Sequence, residues 1–148
     1  MIVTGQAEWS GSFTKARAPC RPRRPTPSAA PPTLRQLLKG APGAIPEELL
    51  AAGHAGCYNH ALANIARKNG LAVDFISTTA ELTMGADDHG YTVDGIHLVV
   101  AAALSEITEE KFREITEGAR TRCAISRALQ IPITLNTNLI AAQPTSNA

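Results

Sequence analysis

The chain has 148 residues, 44% of them hydrophobic, and 14 Lys and Arg against 13 Asp and Glu give a formal net charge of +1. That length suits one domain with a sizeable core, and the near-neutral balance argues against a nucleic-acid partner, which would require a basic face. No apolar run reaches the length of a membrane span, and the first residues lack the basic-then-apolar order of a secretory signal, so the expected setting is the cytoplasm with no membrane partner. Three cysteines in such a reducing compartment point to redox or metal chemistry before structural disulfides.

Residues 2–9 (IVTGQAEW) read as a short strand, with Gly11 and Ser12 as turn residues after it. From Ala18 to Pro32 the chain abandons any period and becomes rich in proline and arginine. Proline cannot donate to a sheet ladder, so no central strand is expected there, and residues 18–39 are read as irregular, mobile or extended. The cluster Arg21, Arg23 and Arg24 is expected to be solvated.

The longest helical pattern runs from Pro46 to Gly70 (PEELLAAGHAGCYNHALANIARKNG). Proline suits a first helical position, Glu47 and Glu48 suit the positive end, and Asn69-Gly70 terminates the helix after Arg67 and Lys68. Leu50, His54, Cys57 and Ala61 fall on one strip at helical spacing. The small residues Gly53, Ala55, Gly56, Ala61 and Ala63 let other backbones approach closely, so the helix is expected to be buried.

Residues 71–84 alternate from Ile76 through Met84 as a strand, 85–90 form a polar turn, and 91–104 form a second strand. The two are expected to pair as an antiparallel hairpin, with a bulge at Gly95 where the apolar phase slips. Thr108 is a helix N-cap, Glu109 and Glu110 occupy the first turn, and Phe112, Ile115, Ala119 and Cys123 trace an apolar stripe. Ile133 to Ile140 alternates as a final strand, and 141–148 is a frayed tail.

The segment carrying Pro46, Glu47, Glu48, Leu49, Ala51, Ala52, His54, Ala55 and Cys57 resembles the helix of the osmotically inducible protein C and organic hydroperoxide resistance family, N-P-E-E-L-x-A-A-x-H-A-x-C. Cys123 to Leu129 resembles that family's C-P-x-S element, with Ala124 in place of the proline. The resemblance covers residues 40–140 well, the first strand weakly and 18–39 hardly at all. It implies a single α+β domain over 1–148, with an antiparallel sheet packed around a long buried central helix, in an interlocked homodimer. It also implies a thiol peroxidase without a cofactor, acting on organic hydroperoxides and reduced by a small dithiol such as a dihydrolipoyl group. In that reading Cys57 attacks the peroxide as a thiolate and becomes a sulfenic acid. Cys123 then resolves it as a disulfide.

The family also supplies an arginine in an R-F-E-G turn, held by a glutamate that corresponds to Glu47. Here Leu37-Leu38-Lys39-Gly40 occupies that place, leaving Arg35 or Lys39 as substitutes, and Lys lacks the planar fork of Arg. Ala18-Pro19-Cys20-Arg21 is compatible with the codons GCA-CCG-TGT-CGA; read from a preceding G these give Gly-Thr-Val-Ser, the family's strand, so 18–39 resembles a frameshifted copy. Weakened or lost activity is the expectation.

Two other readings stay open. Cys57, His54, His60 and Cys123 could hold a metal, although residues spaced like His54 and His60 sit roughly 120° apart around a helix, a poor fan for a tetrahedral ion. Alternatively the scaffold is a dimeric, non-enzymatic small-molecule-binding protein whose thiol has been silenced.

Overall fold

The computed structural model describes residues 1–11, 17, 19–22 and 45–140. In chain order these form β1 (Ile2–Ser10), β2 (Cys20–Pro22), α1 (Pro46–Lys68), β3 (Val73–Asp87), β4 (Gly90–Leu104), α2 (Glu109–Arg122), α3 (Ala124–Ala128) and β5 (Ile133–Leu139). The fold is α+β, with one five-stranded sheet in the order β2-β1-β3-β4-β5.

The local signals act as expected. Pro46 opens α1, and the Glu48 carboxylate accepts a hydrogen bond from the Ile45 amide at 3.1 Å, satisfying a donor that the helix leaves without a partner. At the other end Asn69 donates from its side chain to the Ile65 carbonyl at 2.9 Å, and Gly70 takes a φ of 73°. The Thr108 hydroxyl caps α2 by accepting from the Lys111 amide at 3.2 Å.

β3 and β4 form the expected antiparallel hairpin, closed by a tight turn between Asp87 and Gly90. Thr83 pairs with Gly95 and Met84 with Val93, so Asp94 is the extra residue of a bulge beside Gly95. Among the described residues the proline-rich segment contributes the three-residue β2, at the sheet's edge beside β1, where proline is tolerated. The rest of 18–39, including Arg35 and Lys39, and the tail from residue 141 lie outside the described residues.

One expectation needs correction: the sheet is mixed, because β5 runs parallel to β4. The connection through residues 105–132 contains α2, whose 14 residues span about 21 Å. That returns the chain part-way back along β4, so β5 starts beside Ile96 and follows the same direction.

α1 packs across β1 and β3 on one side and against α2 and α3 on another. Its most buried residues include Ala51, Ala55, Tyr58, Leu62 and Ala66. The strip read from spacing, Leu50-His54-Cys57-Ala61, lies at the margin of this face; His54 is buried, whereas Leu50, Cys57 and Ala61 are half-buried. Leu49 is 52% exposed, so a single chain does not wrap the helix on all sides.

Contact with the sheet is made at backbone level. A Cβ added at Gly5 of β1 would collide with the main chain of Ala51 and Ala52. Neither the strand, tied to β3 along its length, nor the helix can yield locally. Gly5→Ala is therefore expected to lower the unfolding free energy by about 2–3 kcal/mol, measurable by urea denaturation; an unchanged midpoint would contradict this packing.

A two-cysteine site between the central helix and α3

Cys123 closes α2 and opens α3; its backbone (φ −58°, ψ 127°) is extended between the two helices. The turn it makes lays α3 against α1, where Ile125 packs over Gly53; a Cβ there would lie 3.8 Å from the Ile125 Cδ1, an ordinary packing distance. His54 and Cys57 sit one turn apart on α1, as Cys123 and Ser126 do around the start of α3. The two pairs meet in opposite order. His54 Nε2 lies 2.8 Å from Ser126 Oγ, and Cys57 and Cys123 are close enough that Cys57 acts on the Cys123 thiol. None of the three cysteines is bonded to another.

The two facing thiols have different surroundings. Cys57 is half-buried, whereas Cys123 is only 1% exposed. Burial pushes the Cys123 thiol above its ordinary value, and donation of its S–H toward Cys57 adds to the rise; the Ser126 amide and hydroxyl, which donate toward the sulfur, pull the other way. Tyr58, next to Cys57 in α1, is also raised by burial, with smaller contributions from Glu117 and Cys123. Its hydroxyl donates to the Thr116 carbonyl at 3.1 Å and pins α2 to α1. Thus the wall beside the sulfurs is neutral and rigid.

His54 is fully buried, and burial pushes its imidazolium down to about 4, so the ring is neutral at physiological pH. Its Nδ1 is buried without a hydrogen-bond partner among the described residues. His60, by contrast, is exposed and stacks on the Trp9 ring at 6.2 Å. His97, on β4, shares a 2.7 Å hydrogen bond with Thr134. His54 and His60 thus serve different neighbours, and no group of three or more His, Cys, Asp or Glu suited to a metal is found among the described residues.

Glu47 is half-buried at the start of α1, about 15 Å along the helix axis from Cys57, so one chain does not unite them. Glu48 serves the cap at Ile45. Cys20 lies on β2 with its sulfur over Gly56. Ser126, missed as a site residue in the sequence, became visible only with the docking of α3. No helix among the described residues is long and apolar enough to cross a membrane.

The model of the family described as "OsmC-like protein" matches residues 39–138. The chain belongs to the OsmC-like family. Peroxiredoxin OsmC of Escherichia coli (strain K12) is 29% identical over 135 residues, 91% of this chain and 94% of that protein. Organic hydroperoxide resistance protein OhrB of Bacillus subtilis (strain 168) is 32% identical over 91 residues, 61% of this chain and 65% of that one. The crystal structure of the Bacillus subtilis OhrB superposes with a TM-score of 0.60 at 25% identity, over 72% of this chain and 79% of that one. The OsmC-like protein from Mycoplasma pneumoniae shares the fold, with a TM-score of 0.59 at 19% identity over 69% and 76% of the two chains.

In this OsmC-like protein the neutral His54 links stability to pH. Its folded value lies below its ordinary 6.5, so between 6.5 and about 4 the unfolded chain binds a proton that the folded chain does not. The stability His54 contributes is complete above 6.5 and falls as the pH drops toward 4. Denaturant titrations at a series of pH values are expected to show a loss of about 2–3 kcal/mol across that window, absent from His54→Gln; equal losses in both proteins would refute the assignment to His54.

Proposed function

We propose that this protein is a thiol-dependent peroxidase that reduces organic hydroperoxides through a Cys57 sulfenic acid and a Cys57–Cys123 disulfide. The observation that supports this reading is that two free cysteines, one half-buried and one buried, are near enough to act on each other. The names of its relatives, a peroxiredoxin and an organic hydroperoxide resistance protein, support it.

The more accessible Cys57 acts first. As a thiolate it attacks the hydroperoxide, the O–O bond breaks, and one oxygen stays on sulfur as the sulfenic acid while the other leaves as the alkoxide and is protonated to the alcohol. Cys123 then attacks the Cys57 sulfur. The S–O bond breaks, and the departing hydroxide takes the proton lost by Cys123 and leaves as water. A small dithiol, of the dihydrolipoyl kind, returns the disulfide to two thiols and is itself oxidised. No cofactor enters any of these steps.

Within this reading the single domain, 1–148, works as a homodimer with two copies of α1 side by side, so that Glu47 of one subunit approaches Cys57 of the other. The half-buried strip Leu50, Cys57 and Ala61 and the exposed Leu49 support such a pairing. Glu47 then positions a cation for the thiolate. Leu37 stands where the resemblance calls for arginine, so turnover is expected to be weak unless Arg35 or Lys39 substitutes.

Mass spectrometry after one equivalent of an alkyl hydroperoxide tests the scheme. The expected product has lost two hydrogens and contains a Cys57–Cys123 linked peptide. Cys123→Ser should stop at a sulfenic acid that dimedone traps on residue 57, and Cys57→Ser should leave the peroxide unconsumed. Unmodified Cys57 in the unsubstituted chain after peroxide exposure would sink the proposal.

A further inference from the structure

The scheme above asks Cys123 to attack from a site only 1% exposed, where a thiolate finds little solvent. Its charge must be met by protein donors. The structure supplies a chain of them: His54 Nε2 at 2.8 Å from Ser126 Oγ, and the Ser126 hydroxyl and amide on the Cys123 sulfur.

The direction of that chain follows from hydrogen-bond accounting. A neutral imidazole carries one N–H, and His54 Nδ1 is buried without a partner among the described residues. A hydrogen on Nδ1 would bury an unpaired donor. A hydrogen on Nε2 is satisfied by Ser126 and leaves bare only a lone pair, the less costly arrangement. Nε2–H therefore donates to Ser126 Oγ, which frees the serine's own proton to point at Cys123. Each donation polarises the next, and the enclosure strengthens both.

We propose that His54 and Ser126 form a hydrogen-bond relay that orients Cys123 and stabilises its thiolate when that forms, and that both are positioning residues for the resolving step. The proposal rests on the peroxidase reading for its purpose, because only a sulfur that must attack needs that charge. The relay acts in both directions of the cycle. It stabilises Cys123 when it attacks the Cys57 sulfenic acid, and again when it departs as the thiolate on reduction of the disulfide at Cys57, since a better-stabilised thiolate is a better leaving group. The titratable groups facing Cys123 are Cys57 and Tyr58, both on α1; the Glu117–Arg120 pair of α2 acts on Tyr58.

The test reads the Cys123 thiolate directly, without peroxide. In a Cys20→Ser/Cys57→Ser background Cys123 is the only thiol, and its ultraviolet thiolate absorbance is followed against pH. Ser126→Ala is expected to raise the midpoint by about one unit, a roughly ten-fold loss of thiolate near neutral pH, and Ser126→Thr to restore it. His54→Leu is expected to raise the midpoint only while Ser126 is present, and His54→Gln, which keeps a donor, to raise it less. An unmoved midpoint in Ser126→Ala overturns the relay; so does an equal His54→Leu effect with and without the serine hydroxyl. Should His54→Leu fail to fold, the half-buried and conservative Ser126→Ala and Ser126→Thr pair decides alone. If Cys57 forms no sulfenic acid in the peroxide experiment, the peroxidase reading falls while the titration still stands; an unmoved midpoint removes the relay and leaves the peroxidase.

Discussion

The central helix of this protein meets β1 at backbone level on one side and carries the two-cysteine site on another. On one side β1 comes so near that no Cβ fits at Gly5. On the other, Gly53 faces Ile125 of α3 at ordinary packing distance. Small residues here exchange buried area for proximity. Sulfur–sulfur contact across two helices requires such proximity, since a cysteine side chain is short and cannot reach over a wider gap.

That proximity fixes the polar chemistry as well. A site enclosed this tightly excludes charge unless it brings its own donors, which is why His54 is neutral and Cys123 resists ionisation. The two effects are complementary. A protonated His54 would favour the thiolate electrostatically but would lose far more by its own desolvation, whereas a neutral ring can still donate one hydrogen bond. The buried Thr78 hydroxyl, donating to Asn59 Oδ1 at 2.6 Å on the sheet side of α1, follows the same rule of neutral polar pairs beneath the helix.

How much of this the sequence carried depends on range. Helix limits are written locally, in Pro46, Asn69-Gly70 and Thr108, and the structure ends its helices there. The bulge at Asp94 was legible because the apolar phase slips beside Gly95, a signal confined to one strand. The direction of β5 was not legible: alternation in 133–140 identifies a half-buried strand but has no arrow, and only the return path through α2 sets it parallel to β4. The meeting of Cys57 with Cys123 was expected from family resemblance, never from spacing. The His54–Ser126 contact had only a faint trace, the equal three-residue intervals His54 to Cys57 and Cys123 to Ser126, which become meaningful once two segments are known to pack in opposite directions. The Arg35, Leu37 and Lys39 region belongs to a stretch outside the described residues, so what stands in for the family arginine is a matter of sequence alone.

Cys123 sits at the joint between two helices, and that location has a mechanical side. A covalent bond from this joint to Cys57 would enclose a ring of 67 residues, 57–123, holding the β3–β4 hairpin and all of α2, so the redox state of the sulfurs and the cohesion of the whole chain would be coupled. Chain-entropy reasoning places the gain at roughly 4 kcal/mol for a loop of that size. The oxidised molecule would then be the tougher one and the reduced molecule the looser one, and each turn of a redox cycle would tighten and slacken the body of the protein around its own central rod.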